Sequence, residues 1–256
     1  MEHHDKVDRQ FGSRAQAYLE SAVHARGRDL QHLAALAAQL PPDASALDMG
    51  CGAGHASFAV APHVGDMVAY DLSGDMLAVV RDAAAQRGLS SVRTGQGPAE
   101  QLPFEADAFD LVISRYSAHH WSDPAAALRE AARVLKPAGR LCFIDVVGPQ
   151  GPHAALLDTH LQALELLRDT SHVRDYSPTE WRAMLQHAGF EVTAEENWPL
   201  EIEFASWIAR MRTPPVLEAA IRHLLADAPA EVQRHYGIRA TLDFTLESAM
   251  FTARLR

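Results

Sequence analysis

The stretch Leu47, Asp48, Met49, Gly50, Cys51, Gly52, Ala53, Gly54, His55 passes from a short apolar run into glycines at alternating positions. A short apolar run reads as a strand and the segment after the glycines as a helix, so the glycines occupy a strand-to-helix turn. Glycines there let the backbone approach a ligand closely, and the helix start behind them offers unpaired N–H groups. A small molecule is therefore expected at this turn. Counting from Gly50, the sixth position of a dinucleotide fingerprint is His55 instead of glycine, which disfavours NAD. No Lys-Ser or Lys-Thr pair follows, so the loop is not a P-loop.

On either side of this turn the chain alternates between two periods. Ala46 to Met49, Met67 to Tyr70, Val92 to Thr94, Phe109 to Ser114 and Arg140 to Val147 read as strands. Alanine-rich amphipathic segments join them, and this is a βαβ rhythm that predicts a mainly parallel sheet with helices on both faces. After Asp123, Pro124 suits a first helical turn, Leu128, Ala131 and Leu135 form an apolar stripe, and Lys136, Pro137 and Gly139 end it. The first forty residues carry a helical pattern broken at Gly27 and stopped by Pro41 and Pro42. Beyond Pro149, Ala154 to Leu167 and Pro178 to His187 read as helices, and Phe190 to Ala194 as a strand. Trp198 to Pro229 reads as a mostly helical insertion, and Thr241 to Leu255 as a closing strand or hairpin. The expected organisation is an N-terminal helical lid over 1–42, a ligand-binding core over 43–150, and 151–256 completing the same sheet with a helical cap at about 199–239.

A 256-residue chain buries enough surface to need no disulfide or metal staple. With 23 basic and 33 acidic residues the formal charge is -10, which repels a phosphate backbone, so nucleic acid and anionic membranes are disfavoured as partners. Cys51 and Cys142 make no disulfide framework, Met1 to Gln10 is too polar for a signal peptide, and no run reaches the about 18 apolar residues that span a bilayer. A cytoplasmic location is expected.

At Asp71 the second strand ends in a carboxylate about twenty residues past the glycine loop, where two oxygens can accept from both hydroxyls of a ribose; an Asp in this place also serves as an ordinary helix cap. Asp48, Gly50, Cys51, Gly52, Ala53, Gly54 together resemble the first motif of the class I S-adenosylmethionine-dependent methyltransferases, and Tyr70, Asp71, Leu72, Ser73, Gly74, Asp75, Met76, Leu77 resemble the second. Gly97 to Phe104, Phe109 to Val112 and Arg133 to Arg140 are similar to the remainder, in the branch that includes ubiquinone, menaquinone and biotin biosynthesis. Arg115 to Trp121 and Asp169 to Leu185 resemble an uncharacterised bacterial group in that branch.

The resemblance implies a Rossmann-like α/β fold with a seven-stranded, mainly parallel sheet whose last strand is reversed, and an extra helical layer over the cleft. It implies S-adenosylmethionine as methyl donor, with S-adenosylhomocysteine as product. Asp48 and the backbone of Gly50, Gly52 and Gly54 would face its amino acid end, Asp71 its ribose, and Leu72 and Met76 its adenine. Pro98, Ala99 and Glu100 would border the adenine as well, with Pro98 where many relatives carry Asp. Arg115 and Tyr116 would lie beside the donor methionine.

A sulfonium methyl is already activated, so holding the acceptor in line is the main catalytic requirement and no nucleophilic triad is needed. His119 and His120 are the candidate bases for an acceptor that must lose a proton. Tyr18, His24, Trp121, Phe204, Trp207 and Arg210 are candidates to line an apolar, aromatic acceptor pocket, with ordinary core packing the competing explanation. No metal-ligand set is apparent. The acceptor is a small molecule of unspecified atom type, and homo-oligomerisation is left open. Two alternatives stand beside this reading: a nicotinamide-dependent oxidoreductase on a similar sheet, and a non-catalytic S-adenosylmethionine-binding protein.

Overall fold

The computed structural model describes residues 2–12, 19 and 27–256. Helix α1 (His3–Gly12) and helix α2 (Arg28–Ala37) precede strand β1 (Ser45–Met49). Then follow α3 (His55–Val60), β2 (Asp66–Asp71), α4 (Gly74–Gln86), β3 (Val92–Gln96) and β4 (Phe109–Arg115). Helix α5 (Pro124–Val134) leads into β5 (Leu135–Val147), α6 (Ala154–Arg168), α7 (Pro178–His187) and β6 (Phe190–Ile202). The chain continues through α8 (Phe204–Met211), α9 (Pro215–Ala226) and α10 (Ala230–Tyr236) to β7 (Phe244–Leu255).

The seven strands form one sheet in the order β3-β2-β1-β4-β5-β7-β6. The pairs from β3 to β5 are parallel, whereas β7 runs antiparallel to both β5 and β6, as a reversed last strand requires. The order reverses between β1 and β4, and a crevice opens beyond the carboxyl ends of strands at such a switch point. Both the glycine turn after β1 and the turn after β4 lie there.

Side-chain alternation explains why the strands are apolar on both faces. Leu47, Val68, Val112, Phe143 and Phe251 pack on one face against Leu128 of α5 and Trp181 and Leu185 of α7. Ala46, Met67, Ile113, Ile144 and Met250 pack on the other against Leu33 and Ala37 of α2 and Ala56 and Val60 of α3. A third cluster joins α6, α8, α9 and α10 to Ile202, Phe244 and Leu246 at one end of β6 and β7, forming the extra helical layer. Local signals fix the helix starts. The Asp123 carboxylate accepts from the Ala126 N–H with Pro124 in the first turn of α5, and Ser177 and Glu180 form a reciprocal capping box at α7.

Two boundaries differ from expectation. The residues from Trp198 to Ile202 belong to β6, paired with Ser248 to Phe244 of β7, so the helical insertion starts at Phe204. Trp198, Leu200 and Ile202 alternate with period two, and Pro199 is tolerated because β6 is the edge strand. Helix α5 ends at Val134, ahead of the breakers Pro137 and Gly139, and β5 begins at Leu135. Among the described residues no helix is long and apolar enough to cross a membrane.

Candidate functional site

Gly50 and Cys51 both donate their backbone N–H to the Tyr70 carbonyl, at 2.8 and 3.0 Å, which ties the turn after β1 to the end of β2. Gly50, Gly52 and Gly54 all have left-handed φ, at 72°, 50° and 85°, but for different reasons. A Cβ on Gly50 would stand 2.4 Å from Ser117 Oγ, and one on Gly54 would stand 2.9 Å from Phe58 and 3.0 Å from Val80. On Gly52 it would meet nothing within 4 Å. Gly50 therefore admits the turn after β4, Gly52 borders open space, and Gly54 serves helix packing. The expectation that Gly54 faces a ligand is corrected: it does not line the cavity beside the loop.

The two carboxylates here have different partners. Asp71 Oδ2 accepts from the Gly52 N–H at 2.8 Å and Oδ1 from the Ser73 N–H at 2.9 Å, so it braces the glycine loop against the start of α4. Burial raises its pKa against these bonds. Asp48 is 1% exposed; its Oδ2 accepts from the Ser57 hydroxyl at 2.7 Å and its Oδ1 has no hydrogen-bond partner among the described residues. Burial lifts the Asp48 carboxyl to about 6 in spite of Ser57 and the nearby charge of Arg115.

Around this loop lies a cavity of about 140 Å³. Asp48, Gly50, Gly52, Asp71, Leu72, Met76, Pro98, Ala99, Glu100, Arg115, Tyr116 and Trp121 all line it, joined by Val7 and Phe11 of α1. Some of these side chains are engaged elsewhere. Glu100 Oε1 accepts from the Ser122 N–H and hydroxyl at 2.9 and 2.8 Å, so that this carboxylate caps the loop before α5. Arg115 Nε lies 2.5 Å from Asp29 Oδ2 in a buried ion pair that holds α2 against the end of β4. Tyr116 adopts φ 52°, a strained conformation for an aromatic residue, and its hydroxyl donates to Ser248 Oγ at 3.2 Å.

A second cavity, of about 160 Å³, shares Phe11, Tyr116 and His120 with the first. Trp207 and Arg210 line it. Phe204 does not: it is 2% exposed, packed within the helical layer. Trp121 lines the loop cavity instead, and Tyr18 and His24 fall outside the described residues. The expected apolar pocket is also corrected, since Glu165, Arg168, Asp169, Asp175, Glu201 and Glu203 line this cavity alongside Leu200, Ile202 and Leu246.

The adjacent histidines have opposite chemistry. His119 Nδ1 is 2.6 Å from Asp145 Oδ1, and Asp145 is fully buried. Burial alone would lower the His119 pKa, but the charge and hydrogen bond of Asp145 hold it at about 9. His119 thus carries its proton at neutral pH and does not suit the role of base, contrary to its equal standing with His120 in the sequence. His120 is pushed down to about 4 by burial and by the charge of His119. Its Nδ1 is 3.1 Å from the Ser171 carbonyl, and the ring stands edge-on to Phe11 with centroids 4.9 Å apart.

Sequence reasoning did not single out Asp29, Ser117, Asp145 or the cavity-lining role of Asp169. Only Asp145 left a local signal, as a charge inside the apolar run Phe143, Ile144, Asp145, Val146, Val147. Among the described residues no group of His, Cys, Asp and Glu is arranged to hold a metal ion.

A family model described as a methyltransferase domain matches residues 47–143. The chain is 47% identical over 204 residues to the uncharacterised protein YafE of Escherichia coli, covering 80% of this chain and 97% of that one. It is 39% identical over 211 residues to the uncharacterised methyltransferase YcgJ of Bacillus subtilis, covering 82% of each. The crystal structure of YcgJ superimposes with a TM-score of 0.82 over 90% of this chain and 98% of that one. A ubiquinone biosynthesis O-methyltransferase of Xanthomonas axonopodis pv. citri is 30% identical over 59% of this chain and 64% of its own length. With a match of this identity along almost the whole of YafE and most of YcgJ, and the sheet order and loop geometry above, the chain belongs to the class I S-adenosylmethionine-dependent methyltransferases.

Proposed function

We propose that the chain transfers a methyl group from S-adenosylmethionine to a small organic acceptor, with donor and acceptor in the two cavities that share Phe11, Tyr116 and His120. That shared wall is the observation that carries the reading, because methyl transfer needs two ligands meeting at one point. When bound, S-adenosylmethionine supplies an activated methyl on a sulfonium.

The residues around the loop fit this cofactor. Gly52 leaves room for a ligand against the backbone, and the buried, unpartnered Asp48 Oδ1 awaits a donor such as the cofactor's ammonium. Each Asp71 oxygen already accepts one N–H and retains a lone pair for a ribose hydroxyl. Leu72, Met76, Pro98 and Ala99 offer apolar contact for the adenine, with Glu100 at its border, and Arg115 and Tyr116 stand beside the donor methionine. The residues of 1–42 contribute a lid through α1, 43–150 contribute the donor half, and the C-terminal part caps the acceptor through Trp207 and Arg210. His120, neutral at neutral pH, accepts a hydrogen bond from the acceptor and orients it; the Asp145–His119 pair is a fixed support beside it. The likeness to the ubiquinone-biosynthesis relative supports a small-molecule acceptor over a macromolecule.

Thermal unfolding tests the cofactor. At about a hundred times the dissociation constant, S-adenosylmethionine and S-adenosylhomocysteine should each raise the midpoint by roughly 5 to 10 °C, and NAD should not. A shift with NAD alone would replace this reading with a nicotinamide-dependent oxidoreductase.

A further inference from the structure

Asp169 to Leu185 stood apart in the sequence, and the methyltransferase reading leaves it without a task. In the structure its first residues wrap the His119–His120 turn: Val173 and Arg174 donate their N–H groups to the His119 carbonyl at 2.8 and 3.2 Å. Asp169 is 1% exposed. Its Oδ1 accepts from the Ser171 N–H at 2.8 Å and the Ser171 hydroxyl at 2.6 Å, while Oδ2 has no hydrogen-bond partner among the described residues. An unpartnered buried carboxylate oxygen is costly unless something meets it.

The His120 tautomer follows from geometry. Nδ1 lies 3.1 Å from the Ser171 carbonyl, which only accepts, so Nδ1 carries the hydrogen and Nε2 of the neutral ring presents a lone pair. Nε2 is 4.0 Å from Asp169 Oδ2, too far for a hydrogen bond between them. Two acceptors at that spacing can both be reached from one atom about 2.8 to 3.0 Å from each. Satisfying both takes a group with two hydrogens to donate, which an amine in its ammonium form has and a hydroxyl lacks.

We propose that the acceptor is a primary or secondary amine whose nitrogen binds between His120 Nε2 and Asp169 Oδ2. This rests on the methyltransferase reading and adds the acceptor's class to it. The buried Asp169 carboxylate supplies the negative charge that a cation would meet there. Burial and the charge of His119 keep His120 unprotonated at neutral pH, so Nε2 accepts a hydrogen bond from the amine. The bound ammonium loses one proton to solvent, and the lone pair so freed forms the N–CH3 bond as the S–CH3 bond of S-adenosylmethionine breaks, its electron pair remaining on sulfur. The product nitrogen is again cationic and keeps its remaining N–H toward Asp169 Oδ2.

The test follows transfer of labelled methyl from S-adenosylmethionine to matched pairs: benzylamine against benzyl alcohol, and phenethylamine against 2-phenylethanol. The expected result is at least tenfold more label in each amine than in its alcohol. Asp169→Asn should raise the amine KM tenfold or more without changing the S-adenosylmethionine dissociation constant, which also reports that the variant is folded. Preference for the alcohols, or no methylated amine from protein that binds S-adenosylmethionine, overturns the amine assignment. Failure to bind S-adenosylmethionine overturns the reading beneath it. If Asp169→Asn does not fold, the amine-to-alcohol ratio of the unaltered protein decides alone.

Discussion

The wall around the glycine loop and the wall around His119 and His120 are built from different materials. The first is mostly backbone: left-handed glycines, amides donated to the Tyr70 carbonyl, and an Asp71 carboxylate braced by two N–H groups. The second is mostly side chains, drawn from the turn after β4, from β5, α6, the segment after α6, β6, β7 and the insertion, and it is rich in buried charge. Backbone geometry offers one shape whatever the surrounding residues, which suits a cofactor common to a family. A wall of side chains can be exchanged residue by residue, which suits an acceptor that differs among its members.

The contrast predicts that stability and binding separate between the walls. The largest effect should come from His119→Ala, which leaves Asp145 buried without its partner and should cost about 3 to 5 kcal/mol in urea unfolding. The same pair gives a pH signature. With His119 held at about 9, above its ordinary range of about 6.5, its stabilisation is complete below about pH 6.5 and is lost as pH rises through about 9. Unaltered protein should therefore weaken over that window and His119→Ala should not. An unchanged pH profile in the variant would mean that the pair is not the charged support described here.

The glycine loop should divide between the two effects. Gly50→Ala meets Ser117 Oγ at 2.4 Å in a left-handed backbone and should cost about 2 to 4 kcal/mol of stability. Gly52→Ala carries only the backbone strain, about 1 to 2 kcal/mol, yet should weaken S-adenosylhomocysteine binding tenfold or more, because its Cβ enters the cavity. Intact affinity in Gly52→Ala would remove the cofactor from that face of the loop.

The first wall was legible in the sequence for the same reason that it is built from backbone. Its glycines, Asp48 and Asp71 sit at strand ends, where local period and turn chemistry fix their places; Asp123 and Pro124 marked the start of α5 in the same way. Gly54 was the exception, because spacing alone does not tell a glycine that faces a ligand from one that packs against Phe58 and Val80. The second wall was largely hidden. His120 meets Asp169 and Ser171 only through tertiary packing, and no local period records such a contact. The charge at Asp145 was visible but unpaired until β5 lay beside the turn after β4. The extension of β6 was masked by Pro199, which reads as a strand breaker until the strand is known to lie at the edge.

The central claim, that the ends of β1 and β2 hold S-adenosylmethionine, is tested most directly by titrating S-adenosylhomocysteine calorimetrically into the unaltered protein and into Asp71→Ala. The prediction is binding to the first and a loss of about 1 to 3 kcal/mol in the second, the range for removing a hydrogen-bonded buried carboxylate. Equal dissociation constants in the two proteins would contradict it.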